Sequence, residues 1–218
     1  MTFDVEYAVE ILPILLAASV VTFQATIGGF ALALVGGLGL ALARMSRIRP
    51  LSWAAGFYIQ AVRTTPFIIQ LFFLFYVLPS YGLRLDPLTT GVLGLGLHFS
   101  SFTAEVYRAG IEGVPRGQWE AAIALNLSGA RTWSRIILPQ AIVPVVPPLG
   151  NYLVGMFKDS AVLATIAVVE LLGAALGEAS LSFRYLEPLL MAGAIFLVFS
   201  LAGAAATRRL EYVLARRH

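Results

Sequence analysis

Cysteine is absent from this 218-residue chain, and charged side chains make up only 12% of it. The lack of cysteine excludes disulfides and thiolate metal sites, and it says nothing about the compartment. The lack of charge, beside 59% hydrophobic residues and a mean hydropathy of +0.84, excludes an ordinary soluble domain. Because such a chain cannot hide its apolar surface in one soluble core, lipid is its expected solvent.

Motifs for nucleotide binding and for hydrolysis are also missing. The nearest approach to a phosphate-binding loop is Gly150-x4-Gly155, which continues with Met156 and Phe157 instead of Lys and Ser or Thr. Neither His-Glu-x-x-His nor Gly-x-Ser-x-Gly occurs. The sequence therefore predicts no catalytic residue, no metal site and no ATP bound through that loop.

Long apolar runs dominate what is present, and several have the roughly 20 residues that one crossing of a bilayer needs. The five predicted spans are residues 11–43, 53–78, 88–110, 134–157 and 188–207. A further run, 162–176, is short and interrupted by Glu170, so we expect a partial or re-entrant helix that packs on protein or lines a cavity. The prediction is one all-α transmembrane domain over residues 1–218.

The basic residues predict the orientation, because Lys and Arg concentrate on the cytoplasmic side of membrane proteins. Assigning the arginines of 44–49, 108–135 and 208–217 to one side leaves few basic residues elsewhere: Arg63, Arg84, Lys158 and Arg184. The arginine-rich side is predicted to be cytoplasmic. Five spans then place the N-terminus outside and the C-terminus in the cytoplasm.

A ridge of small residues recurs at every fourth position of the first span: Ala25, Gly29, Ala33, Gly37 and Ala41. Such a ridge lets another helix approach closely. It fits either an interface with another subunit or packing within the chain.

The segment 112–139, between the third and fourth spans, has the pattern of a helix–turn–helix. Pro115 suits the first position of a helix, and Asn126 tolerates a left-handed turn. Ser128 is the predicted N-cap of a second, short helix, and Pro139 predicts a break where the next span begins. The charge distribution places this segment in the cytoplasm.

Polar residues inside the apolar segments are candidates for a solute pathway, because polar and ionisable groups at membrane depth are costly and usually paired or functional. The candidates are Arg63, Thr64, Thr65, Pro66, Gln70, Glu105, Asn151, Lys158, Asp159 and Ser160. His98, without a second histidine or cysteine beside it, is expected to be hydrogen-bonded in the packing.

Several candidates also have a structural interpretation. Arg63 meets a solute carboxylate or an acidic partner such as Glu105, or it snorkels to the headgroups. Pro66 should bend the helix, and Thr65 and Gln70 then satisfy the freed carbonyl groups or meet the solute. Thr64 has the same two options.

The fourth span carries four prolines, which predict a broken helix facing protein or a cavity: Pro139, Pro144, Pro147 and Pro148. With Asn151 and Lys158, this span is predicted to line the pathway. The alternative for Lys158 is an ion pair with Asp159 that ends the helix at the interface.

The cytoplasmic segment resembles the EAA motif of permeases from bacterial binding-protein-dependent ABC importers. The matching residues are Gly117, Glu120, Ala121, Ala122, Asn126, Ile136, Leu138 and Pro139. The family's usual turn glycine is Asn126 here. In that family the motif sits on the ATP-binding subunit, so the resemblance implies that these residues contact an ATPase, with Glu120 paired to one of its arginines.

Other motifs are similar to those of the polar amino acid permeases of the histidine/glutamine type. They are Arg63-Thr64-Thr65-Pro66, the run 102–108, the run 117–122 and Lys158-Asp159-Ser160. The stretches 121–126 and 184–188 are also similar to ectoine and hydroxyectoine permeases.

The resemblance implies a type I ABC importer permease in the bacterial cytoplasmic membrane, moving a polar amino acid or a compatible solute such as ectoine. Its implied partners are ABC ATPase subunits that bind ATP and Mg²⁺, a second permease chain (identical or related), an extracytoplasmic solute-binding protein and membrane lipid, but no nucleic acid. The chain itself is expected to be no enzyme and to hold no cofactor. Glu170 and Glu178 either face the binding protein or are solvated loop carboxylates.

Two other functions remain open at this point. A stand-alone secondary transporter or channel for small polar solutes would work without an ATPase. An intramembrane enzyme is disfavoured by the missing nucleophile–base and metal-ligand patterns.

Overall fold

A computed structural model describes residues 3–215, and the regular structure in that range is helical. The α-helices are α1 (Val5–Arg44), α2 (Arg49–Thr64), α3 (Phe67–Phe72), α4 (Pro87–Glu112), α5 (Arg116–Ala124), α6 (Gly129–Thr132), α7 (Leu138–Asp159), α8 (Leu171–Ser182) and α9 (Leu186–Ala215). Two π-helical turns, Phe73–Val77 and Trp133–Ile137, follow α3 and α6, and 3-10 turns occupy Leu78–Tyr81 and Ser160–Ile166. Arg216 and Arg217, used in the orientation argument, lie outside the described residues.

Three helical stretches among residues 3–215 are long and apolar enough to cross a membrane: Val5–Arg44, Gly129–Ile166 and Leu186–Val213. Arg49–Thr64 and Phe67–Tyr81 together make a fourth, but they meet at a bend of 108°. Helix α4 has 26 residues, and its glycine, serine and threonine content makes it less apolar than these. The prediction of an all-helical, membrane-spanning chain is confirmed, while the count of five spans stays a prediction.

The small-residue ridge of α1 packs against α4 of the same chain. A Cβ atom added to Gly29 would lie 2.8 Å from the Leu95 Cβ, and one added to Gly37 would overlap the hydroxyl of Thr103. That hydroxyl donates a hydrogen bond to the Ala33 carbonyl oxygen at 2.7 Å. Of the two interpretations of the ridge, the structure therefore selects packing within the chain.

Glu170 organises the predicted partial helix. Its side chain is fully buried at the N-cap of α8, where its carboxylate accepts hydrogen bonds from the Gly173 N–H at 2.8 Å and the Thr22 hydroxyl at 3.4 Å. The Leu171 N–H donates to the same hydroxyl oxygen at 3.1 Å. The segment is thus a 3-10 turn and a 12-residue helix packed on α1. Both interpretations of Glu170, as a residue facing the binding protein and as a solvated loop carboxylate, are wrong, because its side chain is fully buried.

The predicted break at Pro139 is replaced by a continuous helix. In the π-helical turn Trp133–Ile137 the Leu138 N–H donates to the Trp133 carbonyl oxygen, five residues back. This wider turn accommodates a proline, which lacks the N–H for an ordinary α-helical bond. Helix α7 also runs unbroken through the other three prolines of the span: Pro144, Pro147 and Pro148.

The close contact between α1 and α4 can be tested by its effect on stability. We expect Gly37→Ala to lower the unfolding temperature of the purified protein, because overpacking a tight contact costs about 1–3 kcal/mol. Gly39→Ala is the matched control, since it lies on the same helix and a Cβ there meets nothing within 4 Å. Both variants gain the same helix propensity, so equal unfolding temperatures would contradict the contact.

Candidate functional site

Helices α5 and α6 form a compact knob, and its turn has the geometry that the sequence predicts. Asn126 has a φ of 51°, in the left-handed region. Its N–H donates to the Ile123 carbonyl oxygen at 2.9 Å, and the Leu127 N–H donates to the Ala122 carbonyl oxygen at 3.0 Å. These two bonds close α5 as a Schellman motif usually built on glycine, so asparagine replaces glycine without loss of the turn.

The boundaries of the two short helices differ little from the predicted ones. Ser128 is the N-cap of α6, although its side chain makes no capping hydrogen bond. Pro115, predicted as the first helical residue, is instead the N-cap of α5, and the helix begins one residue later at Arg116. A proline there leaves no additional N–H to satisfy.

Two tryptophans pack the knob against the membrane helices. The sequence pattern did not predict the contact between them. The rings of Trp119 on α5 and Trp133 at the start of the π-helical turn meet edge to face, with centroids 5.3 Å apart. They pack on a buried cluster contributed by α4, its C-terminal loop and the base of α7: Ile111, Val114, Ile137 and Ala141. The knob is therefore positioned against both α4 and α7.

The predicted coupling residues divide into an outer and an inner set. Ala122 is only 1% exposed and Ile136 is half-buried, so both support the packing of the knob. The exposed members are Gly117, Glu120, Ala121, Asn126, Leu138 and Pro139. Ile123 and Leu125, 77% and 71% exposed, add apolar surface that the motif did not single out. The outer face combines a carboxylate with large apolar side chains.

A charged cavity of about 810 Å³ opens beside the knob, between the ends of α1 and α4 and along α2. Its charged lining consists of Arg44, Arg63, Glu105, Arg108 and Glu112. Arg108 binds Glu105 at 2.7 Å and Glu112 at 2.6 Å. Among the described residues the ion-pair partner of Glu105 is thus Arg108, and the suggested pair with Arg63 is not formed.

The polar residues around Pro66 secure the bend between α2 and α3. The Gln70 side-chain amide donates to the Val62 and Thr65 carbonyl oxygens, both at 2.8 Å. Its oxygen lies 3.2 Å from the His98 Nδ1, so the predicted hydrogen bond of this histidine is confirmed. Two hydroxyls donate to carbonyl groups of the preceding turn, those of Thr64 and Thr65. These side chains serve the backbone that the proline disrupts.

A row of side chains links α2 to α7. The Arg63 guanidinium carbon lies 5.3 Å from the centre of the Phe102 ring, and that ring lies 5.8 Å from the ring of Tyr152. Asn151 and Lys158, seven residues apart and both exposed, share one face of α7. The row joins Arg63 on α2 to Tyr152 on α7, and of the predicted pathway candidates Arg63 and Glu105 line the cavity.

The remaining candidates, at the end of α7, differ in how deeply they are buried. Ser160 is buried, and its hydroxyl donates to the Phe157 carbonyl oxygen at 2.7 Å. Asp159 is half-buried, and within residues 3–215 no ion pair joins it to Lys158. Lys158 is exposed and α7 ends at Asp159, so the pathway role of Lys158 and its pairing with Asp159 both stay predictions.

The left-handed turn at Asn126 can be tested by limited proteolysis. Asn126→Gly should leave the resistance of the α5–α6 turn to limited proteolysis unchanged, because glycine adopts the same left-handed backbone. Asn126→Val should speed cleavage there, since a β-branched residue in this conformation costs about 1–2 kcal/mol. Faster cleavage in the glycine variant would show that the asparagine side chain, and not the backbone conformation, holds the turn.

Comparison with known proteins agrees with this architecture. The family described as "Binding-protein-dependent transport system inner membrane component" matches residues 33–214. The chain is 44% identical to a probable amino-acid ABC transporter permease of Sinorhizobium fredii, covering 98% of this chain and 93% of that protein. It is 35% identical to the L-cystine transport system permease of Bacillus subtilis, covering 94% and 89%.

A solved structure described as an amino acid ABC transporter with histidines matches with a TM-score of 0.92 at 33% identity, covering 97% of this chain and 99% of that one. This likeness extends over nearly the whole chain. The chain therefore belongs to the family of binding-protein-dependent transport system inner membrane components, as an ABC transporter permease with the type I importer fold.

Proposed function

We propose that this permease imports a polar amino acid or a related compatible solute across the bacterial cytoplasmic membrane, driven by ATP hydrolysis in partner subunits. The observation that carries the proposal is the knob, which presents Glu120 beside large apolar side chains and is fastened to two membrane helices. Relatives described as amino-acid and L-cystine permeases support the solute class. The narrower ectoine assignment rests on the resemblance of residues 121–126 and 184–188.

In the proposed topology, α2 and α3 count as one bent span and α4 as another, which makes five spans. The N-terminus lies outside and the C-terminus in the cytoplasm. The ends of α1 and α4 share the arginine-lined cavity, as the positive-inside rule favours. At the opposite end Asp4 pairs with Arg184 at 2.8 Å. The Tyr7 N–H and the Arg184 guanidinium lower the pKa of Asp4, which keeps the carboxylate of this ion pair charged.

The outer face of the knob is the proposed contact with the ATPase, which binds ATP and Mg²⁺. Glu120 would pair with an arginine of that subunit, while Ile123 and Leu125 would fill an apolar groove. Because Trp119 and Trp133 pack on the ends of α4 and α7, movement of the knob would be passed to both helices. A second permease chain would complete the pathway, and an extracytoplasmic binding protein would deliver the solute.

The charged cavity suits a zwitterion, because it offers both signs of charge within one volume. Arg63 presents an exposed guanidinium, which binds a carboxylate through two parallel hydrogen bonds. Glu105 lies in the same cavity, half-buried, and provides the opposite charge for an ammonium group. Asn151 and Lys158 would continue the polar pathway along α7.

Replacing the coupling carboxylate tests the main proposal. In proteoliposomes with the ATPase and the binding protein, Glu120→Gln should reduce ATP-driven uptake about tenfold, because a hydrogen bond to a charged group contributes about 1.5–3 kcal/mol. ATP hydrolysis should continue. Glu10→Gln is the control, since Glu10 is also exposed but lies near the other end of the molecule. Uptake by the permease alone, driven by a solute gradient, would instead support a stand-alone transporter.

Solute recognition has its own test. Binding of radiolabelled L-arginine, L-glutamine, L-cystine and ectoine to the permease–ATPase complex is measured without the binding protein. For the solute that binds, Arg63→Gln should raise the Kd about tenfold, since it removes one charged partner of the carboxylate. Arg84→Gln, in the exposed loop before α4, should leave it unchanged. Equal affinities in both variants would remove Arg63 from the site.

A further inference from the structure

A second cavity, separate from the charged one, lies between α1, α7 and α9 and has a volume of about 440 Å³. Three aromatic rings close one end of this groove. The ring centroid of Phe23 lies 5.0 Å from the ring centroid of Phe157 and 5.0 Å from that of Phe199. The ring centroids of Phe157 and Phe199 are 6.0 Å apart. The other end of the groove is lined by Leu34, Val146 and Leu210 and lies on the side of the knob, because α7 begins there.

The length of the groove matches half of a bilayer. At 1.5 Å per residue, the stretches 146–157 of α7 and 199–210 of α9 are each about 16 Å long. The hydrocarbon core of a membrane is about 30 Å thick, so the groove covers about one leaflet. This is the depth that a single acyl chain occupies.

The lining offers no polar group to a solute. The hydroxyl of Thr26 donates to the Thr22 carbonyl oxygen at 2.8 Å, and that of Thr207 donates to the Gly203 carbonyl oxygen at 3.0 Å. Ser200 also lines the groove; its Oγ atom is buried and has no hydrogen-bond partner among the described residues. Methyl, methylene and aromatic groups remain as the contact surface, which suits an alkyl chain and not an amino acid.

The walls of the groove are held in place by close contacts between α7 and α9. A Cβ atom added to Gly150 would lie 2.7 Å from the Thr207 hydroxyl oxygen, and one added to Gly203 would lie 3.0 Å from a methyl group of Val154. The two helices therefore meet at two points that leave little room for adjustment. The groove therefore keeps its shape when no ligand is bound.

Basic residues lie where the groove ends. Arg208 and Arg209 directly precede Leu210 on α9, and both are exposed. Arginine binds phosphate through paired hydrogen bonds, and its aliphatic stem reaches from the apolar region to headgroup depth. Glu211 follows them, so the stretch 208–211 keeps a net positive charge. Basic residues at the end of a membrane helix favour anionic lipids.

We propose that this groove binds one acyl chain of an anionic phospholipid, whose phosphate is held by Arg208 and Arg209. The charge beside the groove favours a phospholipid over a helix of a second permease chain, because an apolar helix offers no phosphate to Arg208 and Arg209. The lipid contacts α1, α7 and α9 together, so its binding favours the arrangement of these helices seen here.

The test uses the purified permease–ATPase complex, mixed with phosphatidylglycerol or phosphatidylcholine carrying the same acyl chains. Native mass spectrometry counts the lipids retained on each permease. We expect the wild type to retain phosphatidylglycerol about thirtyfold more readily than phosphatidylcholine, since the two arginines at about 1 kcal/mol each together contribute about 2 kcal/mol. Equal retention of the two lipids by the wild type would overturn the phosphate site.

Two sets of variants distinguish binding of the acyl chain in the groove from binding of the phosphate by the arginines. Ala206→Phe fills the groove and should abolish the retained lipid, whereas Ala205→Phe, exposed on the same helix but outside the groove, should not. Arg208→Gln with Arg209→Gln should remove the preference for phosphatidylglycerol. The control for that charge loss replaces two exposed arginines after α1, Arg47→Gln with Arg49→Gln.

Three results would overturn the proposal. Equal lipid retention by the Ala206→Phe and Ala205→Phe variants would exclude the groove. An undiminished lipid preference after loss of Arg208 and Arg209 would exclude the phosphate site, and it does so even where the groove-filling variant fails to fold. Separation of paired permease chains by Ala206→Phe would show that a second chain covers the groove.

Discussion

Inside a bilayer no water is available to the backbone, so every N–H and carbonyl group needs a partner within the protein. This constraint explains each irregular point of the chain. Gln70 binds the carbonyl oxygens freed at the bend, Glu170 accepts at the buried start of α8, and the π-helical turn before Pro139 re-pairs the N–H of Leu138. Long helices continue between these points because the helix satisfies its own backbone.

The same constraint shapes the machinery for transport. A bend of 108° turns α2 away from the direction of α3 and places Arg63 over Phe102 at a charged cavity. At the neighbouring knob, two tryptophans join α5 to the ends of α4 and α7. The proposed solute cavity and the proposed ATPase contact thus both involve the end of α4, and α4 packs closely on α1.

Local patterns predicted some elements well and others poorly. The left-handed turn at Asn126 and the bend at Pro66 follow from the backbone preferences of single residues, which act wherever the residue lies. The prolines of the fourth span misled the prediction, because a π-helical turn and packing neighbours keep α7 continuous. The partner of Glu105 was also missed, since Arg108 competes for it from the same helix.

Composition and apolar run length by themselves determined that the chain is a helical membrane protein, since these properties depend on local chemistry, and the EAA-like residues carried its resemblance to ABC permeases. Tertiary structure alone decided that the small ridge of α1 meets α4, that Glu170 is buried against Thr22, and that an apolar groove forms between α1, α7 and α9. Each of these features joins residues far apart in the chain. Side-chain direction and helix approach determine them, and neither is visible in a linear pattern.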